Sequence, residues 1–143
     1  LRPQNELRLE IPGRSINEGF ARVAVAAFVS QLDPTLDELA DIKTAVSEAV
    51  TNCIVHAYEG TVGSVYINVK IFDAGRVRIC VKDKGCGIDD VAKAMEPMYS
   101  GCRSSDRAGL GFTVMQTFMD KLRVRSRPGH GTAVIMEKII SSK

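Results

Sequence analysis

No stretch of this sequence approaches the roughly 20 apolar residues that cross a bilayer, which excludes a membrane-spanning helix. No charge of one sign dominates either. Nineteen Lys and Arg stand against 17 Asp and Glu, a net charge of +2, so there is no electrostatic case for a dedicated nucleic-acid or membrane-surface binder. Tryptophan is absent and there are only two histidines, His56 and His130. The four cysteines (Cys53, Cys80, Cys86, Cys102) contain no C-x-x-C pair. That spacing argues against zinc and reads as reduced thiols in a cytoplasmic protein. No charged-then-apolar leader opens the chain. It starts at Leu1 without an initiator methionine, as a trimmed or tagged terminus would. There is no internal repeat, no linker and no G-x-x-x-x-G-K-[ST] string.

What is present is a core. Across 143 residues 45% are apolar and 25% charged, enough to enclose the interior of one domain and to exclude disorder, collagen and coiled coil. Residues 5–11 alternate Leu7, Leu9 and Ile11 with Glu6, Arg8 and Glu10, as a half-buried strand does. Ser15 with Glu18 forms a capping-box signature for a helix over 16–32, with Phe20, Val23, Ala24, Ala27 and Phe28 on its apolar face. A second helix is predicted over 36–57, carrying Leu39, Ile42, Val46, Ala49, Val50, Cys53 and Ile54 at helical spacing. Strands at 64–72 and 77–82 flank Asp73-Ala74-Gly75, which has hairpin chemistry. A short helical patch at 90–95 precedes an aperiodic loop. A further helix begins near 109–111 and runs to about 120, and strands at 122–126 and 132–140 follow. The order β-α-α-β-β-(α)-loop-α-β-β predicts one α/β domain, with helices on one face of a largely antiparallel sheet.

Three strings carry chemistry. On the second helix Glu48, Asn52 and His56 recur at i, i+4 and i+8, so they share one stripe. A carboxylate one turn from a carboxamide can serve a hard cation or an attacking oxygen, although for the pair alone an ordinary solvated helix face is the better reading. Asp83-Lys84-Gly85-Cys86-Gly87 ends an apolar strand. Its glycines let the backbone approach a flat ligand, and Asp83 can accept a hydrogen bond from an exocyclic amine. Gly109-Leu110-Gly111 opens a helix, where exposed backbone N–H groups favour a phosphate. Arg103 and Arg107 stand just before it, and Thr132 starts the last strand. Lys121, Arg123, Arg125 and Arg127 alternate with Leu122, Val124 and Ser126. Without interleaved aromatics this reads as an exposed strand face, not a nucleic-acid stripe.

Taken in order, E-x-x-x-N, D-x-G-x-G, an irregular loop and G-x-G resemble the GHKL ATPase superfamily of gyrase, heat-shock protein 90, histidine kinases and the mismatch-repair ATPase. Phe20-Ala21-Arg22-Val23, Gln31-Leu32-Asp33-Pro34-Thr35, the run from Asp41 to Asn52 and Gly111-Phe112-Thr113 look like the small serine kinases that act as anti-sigma factors in endospore-forming bacteria. The resemblance extends from Asn5 to about Ile140. It implies the Bergerat ATP-binding fold, an α+β two-layer sandwich with a mixed, mostly antiparallel sheet and helices on one face. It also implies a single domain over 1–143 with an ATP lid at about 97–108.

By the same resemblance, Asn52 would hold Mg²⁺ against the phosphates of ATP or ADP, and Glu48 would act as general base toward a serine hydroxyl. Asp83 would bind the adenine amine, with Gly85, Gly87 and Thr132 shaping the pocket. Gly109 and Gly111 would face the phosphates, and Arg107 would contact the γ-phosphate. The implied protein is a homodimer that holds a sporulation sigma factor (sigma-F type) when ATP is bound and phosphorylates an anti-anti-sigma antagonist on serine. It touches neither nucleic acid nor membrane. Its partner surface is expected on the exposed side of the first helix, at Glu18 and Arg22. Two alternatives are a nucleotide-gated sigma-binding module without transfer, and the catalytic domain of a histidine kinase. The second is the weaker, because no His-bearing dimerisation helix precedes the first strand. One departure stands out: Ser100-Gly101-Cys102-Arg103 occupies the place of the family's T-T-K-P-like string.

Overall fold

Period-two alternation builds the sheet and period-3.6 alternation lays helices against it. The computed structural model describes residues 2–58, 60–88, 90–95 and 110–141. Its elements are β1 (Asn5–Pro12), α1 (Ile16–Val29), α2 (Leu36–Asn52), β2 (Ser64–Ile71), β3 (Arg76–Lys82), α3 (Val91–Ala94), α4 (Leu110–Phe118), β4 (Lys121–Arg127) and β5 (Gly131–Ile139). The strands form one sheet in the order β1-β2-β3-β5-β4. Every pairing is antiparallel, so the sheet is uniform rather than mixed. Val65, Ile67, Val69 and Ile71 of β2 point to one face, with Val77, Ile79 and Val81 of β3 and Val134 and Met136 of β5. All are buried beneath α1, α2 and α4. Their neighbours in sequence face away from the helices, which gives the two-layer α+β sandwich. Among the described residues no helix is long and apolar enough to cross a membrane.

The two long helices depart from expectation at their ends and on their faces. Ser15 makes no capping hydrogen bond; the Glu18 carboxylate instead accepts from Ser47 Oγ at 2.7 Å and pairs with Arg22 at 3.7 Å. The capping box belongs to α2. Thr35 Oγ1 accepts from Glu38 N at 3.1 Å, and Glu38 accepts from Thr35 N at 2.8 Å and Ser141 N at 2.8 Å. Those backbone donors hold the Glu38 carboxyl down at about 2. The core face of α1 is Ala21, Val25, Ala26 and Val29, while Phe20 and Val23 are 55% and 58% exposed. The stripe of Ala21, Val25, Ala26 and Val29 lies against α2 and the sheet, and Phe20 and Val23, outside that stripe, are turned outward.

At its other end α2 widens into a π turn over Cys53–Ala57. Lys138, only 9% exposed, donates to Phe118 O at 2.8 Å and lies 3.5 Å from Asp41 Oδ2. It therefore ties the last turn of α4 to α2.

Candidate functional site

The first half of the site lies where α4 begins beside α2. A Cβ added at Gly111 would stand 3.1 Å from Asn52 Oδ1 and 3.3 Å from Glu48 Oε1. The second glycine of G-x-G is thus the residue that lets a helix start approach the carboxylate–carboxamide pair, and two of the sequence strings become one locus. Glu48 also borders a cleft of about 470 Å³ between α1 and α2, lined by Arg22, Val23, Ala40, Lys43, Thr44 and Ser47. The carboxylate therefore sits between the α4 start on one side and a cleft with two cations on the other.

The second half is built on Asp83, which is 4% exposed. Its Oδ1 accepts from Gly85 N at 2.9 Å and Thr132 N at 3.2 Å. Burial pushes the carboxyl above its ordinary range, opposed by those two backbone donors and by the Cys53 thiol. The glycines around Asp83 permit close backbone approaches. A side chain at Gly85 would collide with Ala57 O. Gly87 has φ +78° and packs on Arg127 O, and Gly131 has φ +102° and packs on Asp83 O. The turn is fastened to the end of α2 by Cys86 N donating to Ala57 O at 3.0 Å. Tyr58 Oη reinforces this, accepting from Lys84 N at 2.6 Å and donating to Ser64 O at 2.8 Å.

Cys53 joins the two halves. It follows Asn52 in the chain and is buried, and burial, together with the neighbouring Asp83 charge, pushes its thiol well above the ordinary range. The sequence pattern presents Cys53 only as a core position. Ser126 is a second residue that the strings did not reveal. Its hydroxyl accepts from Ile88 N at 2.7 Å, donates to Gly131 O at 3.0 Å and lies 2.8 Å from Thr132 Oγ1. With the Ser126 proton committed to Gly131 O, Thr132 donates to Ser126 and keeps its own acceptor lone pairs for a ligand. No sequence signal marks Ser126, since it sits at an ordinary inward position of β4.

Glu48, Asn52, Asp83, Gly85, Gly87, Gly111 and Thr132 are thus gathered along the α2 terminus, the turn after β3 and the α4 start. Gly109, Arg107 and the expected lid at 97–108 lie outside the described residues. Among the described residues Cys53 and Cys80 are free thiols.

Known proteins resemble this arrangement. The model of the Histidine kinase-like ATPase domain matches residues 14–138. The Anti-sigma F factor of Caldanaerobacter subterraneus subsp. tengcongensis is 57% identical over 136 residues, covering 95% of this chain and 94% of that protein. The Anti-sigma F factor of Clostridium kluyveri is 53% identical over 138 residues, covering 96% of each. Among solved structures, the RsbU and RsbW domains of a Mycobacterium tuberculosis protein superpose with a TM-score of 0.72 at 18% identity. That match covers 99% of this chain and 34% of the other, and it speaks to the fold alone. The site is that of a nucleotide-binding domain, and this chain belongs to the histidine kinase-like ATPase family and, within it, to the anti-sigma F factors.

Proposed function

We propose that this chain is an anti-sigma factor that is also a MgATP-dependent protein serine kinase. It sequesters a sporulation sigma factor of the sigma-F type, and it phosphorylates an anti-anti-sigma antagonist on serine. It works in the cytoplasm as a homodimer. The names of its relatives support the sigma partner. The observation that carries the kinase reading is the position of Glu48, beside Asn52 and Gly111 yet bordering the cleft that contains Arg22 and Lys43. A substrate serine entering that cleft meets a carboxylate before it meets the phosphates.

The donor set suits a magnesium nucleotide. Asn52 offers a neutral oxygen, and the missing side chain at Gly111 leaves room in front of it; Mg²⁺ typically takes one or two protein oxygens and the rest from phosphates and water. Bound there, the ion supplies charge neutralisation on the phosphates. Asp83 accepts from the adenine amine, Thr132 supports the base, and Gly85 and Gly87 allow close approach. The backbone N–H of Gly111 faces the phosphates at the positive end of α4, and Gly109 is assigned to them from its place in the G-x-G string. Arg107 is assigned to the γ-phosphate from the sequence reading alone. In transfer, Glu48 accepts the serine hydroxyl proton and the serine oxygen bonds to the γ-phosphorus. The bond to the β–γ bridging oxygen breaks and ADP leaves with the electron pair. Positioning and charge neutralisation account for most of such a barrier.

Glu48→Gln tests the reading. Nucleotide affinity should stay within about threefold, while the phosphoserine product falls by about 10²-fold or more, the range a general base contributes. A Glu48→Gln protein that phosphorylates at the wild-type rate would refute the base assignment. The exposed side of α1 is the partner surface in this reading. Arg22 lines the cleft between α1 and α2, and Phe20 and Val23 are exposed on the same helix. Arg22→Glu should weaken sigma and antagonist binding about tenfold, typical of a charged contact made unpaired, and leave nucleotide affinity unchanged. Loss of both together would sink this assignment.

A further inference from the structure

Among the described residues the sheet carries helices on one face only, and its other face is not an ordinary polar surface. Cross-strand register brings cations from separate strands into rows. Lys82 of β3 and Arg125 of β4 both pair with Ala133 of β5. Cys80 and Arg123 both pair with Ile135, and Arg78 and Lys121 both pair with Glu137. Strand β5, between β3 and β4, therefore presents Ala133 and Ile135, with Cys80 beside them, as a half-buried apolar seam. Exposed cations stand along it: Lys82 on one side, Arg123 and Arg125 on the other, and Arg127 and Lys121 toward the two ends. Glu137 is engaged by Arg76 at 3.5 Å and Arg78 at 3.0 Å. Among the described residues no carboxylate lies within ion-pair distance of Lys82, Arg123, Arg125 or Arg127.

Cations on an edge strand have a simpler use, since Lys and Arg there discourage strand pairing between molecules. That accounts for β4 alone. It does not account for Lys82 on β3, which is the middle strand of five and has no free edge to protect, nor for an apolar seam between the two charged rows. A nucleic-acid backbone matches the cations but finds no use for Ile135, Ala133 and Cys80. An acidic amphipathic helix matches all of these features. Its carboxylates at i and i+4 lie about 6 Å apart along the axis. Side chains at i and i+2 on a strand lie about 6.8 Å apart, which is the spacing of Arg123 and Arg125. Its apolar stripe would cover the seam as a third layer on the sheet.

We propose that the open sheet face over β3, β5 and β4 docks an acidic amphipathic helix of a partner protein. Apolar side chains of that helix would lie on Ala133 and Ile135, and its carboxylates would pair with Lys82, Arg123 and Arg125. This surface lies on the opposite face of the sheet from α1 and α2, so it is separate from the cleft beside Glu48, and its occupation does not depend on the kinase reading.

The test titrates the full chain with a synthetic 21-residue helix of three Leu-Glu-Glu-Leu-Ala-Glu-Glu heptads. The same heptads with Lys in place of Glu, and a 20-nucleotide oligo-dT, serve as comparators. Backbone amide shifts and fluorescence anisotropy are read at about 0.05 and 0.5 M salt, where the screening length falls severalfold. The acidic helix should shift the amides of β4 and β5, and its affinity should drop about tenfold or more at the higher salt. The double variant Arg123→Glu/Arg125→Glu should lower affinity by at least about tenfold, with unchanged thermal unfolding and nucleotide binding. Ile135→Thr, which keeps the charge and a β-favouring side chain, should lower it severalfold. Equal binding of the Lys heptads, tighter binding of oligo-dT, full retention of binding in the double variant, or shifts confined to α1 and α2 would each overturn the proposal.

Discussion

Gly111→Ala separates what the α4 start does for the fold from what it does for the site. Gly111 is the second residue of α4 and has no positive φ, so alanine meets no backbone strain. It brings up to about 1 kcal/mol of better helix propensity. The added methyl would stand 3.1 Å from Asn52 Oδ1, 3.3 Å from Asn52 Nδ2 and 3.3 Å from Glu48 Oε1. These atoms are the ends of flexible side chains, so they yield by a few tenths of an ångström and the helix packing survives. The predicted result is a midpoint of thermal unfolding without nucleotide that is unchanged or raised by up to about 4 °C. Transfer to serine should fall by about 10-fold to 10²-fold, because displacements approaching an ångström carry penalties of that order at a reacting centre. Differential scanning calorimetry and single-turnover transfer check the two halves. A variant that is destabilised by several degrees, or one that transfers at the wild-type rate, would refute the reasoning.

Two further outcomes follow from the buried and capping carboxylates. Burial raises the Asp83 carboxyl above its ordinary 3.8, so its favourable share of stability is present below pH 3.8 and is lost as pH rises through the folded value. Without nucleotide, Asp83→Asn should unfold at a higher temperature than wild type at pH 7, the gap closing below pH 3.8. Its affinity for adenine nucleotides should fall about 10-fold to 10²-fold, by equilibrium titration, as loss of a charged acceptor implies. Glu38 is shifted the other way, from 4.5 to about 2, so its share is present above pH 4.5 and is lost as pH falls toward 2. Glu38→Ala should cost about 1 kcal/mol at pH 7 by removing the capping box and should flatten the acid limb of the stability profile, as urea unfolding at a series of pH values would show.

Much of the site was legible because its chemistry is written in short strings. Asp83 with Gly85 and Gly87 stands out because a turn that packs its backbone on Ala57 O and Arg127 O tolerates no side chain at those two positions. Glu48 and Asn52 stand out because helical spacing aligns them. Ser126 and Cys53 did not stand out. Each is an ordinary inward residue of its element, and its partners lie across the sheet or at the far end of another segment. The capping box was misassigned for a related reason. Both Ser15-x-x-Glu18 and Thr35-x-x-Glu38 carry the signature, and only the fold decides that Glu18 is drawn away by Ser47.

Local pattern alone determined the kinds and order of the elements, the turn after β3, and which carboxylate and carboxamide share a helix face, because these depend on spacings of two to eight residues along one chain. Tertiary structure decided which face of α1 is buried: Ala21, Val25, Ala26 and Val29 go to the core and Phe20 and Val23 to the surface, because the helix can lay only one stripe against α2 and the sheet. It decided that Gly111 meets Asn52 and Glu48, although some sixty residues separate them. It also decided that the basic residues of β4 and β3 line one apolar seam. Each of these depends on how far apart elements come to rest, and that distance follows from packing a whole core rather than from any one stretch of sequence.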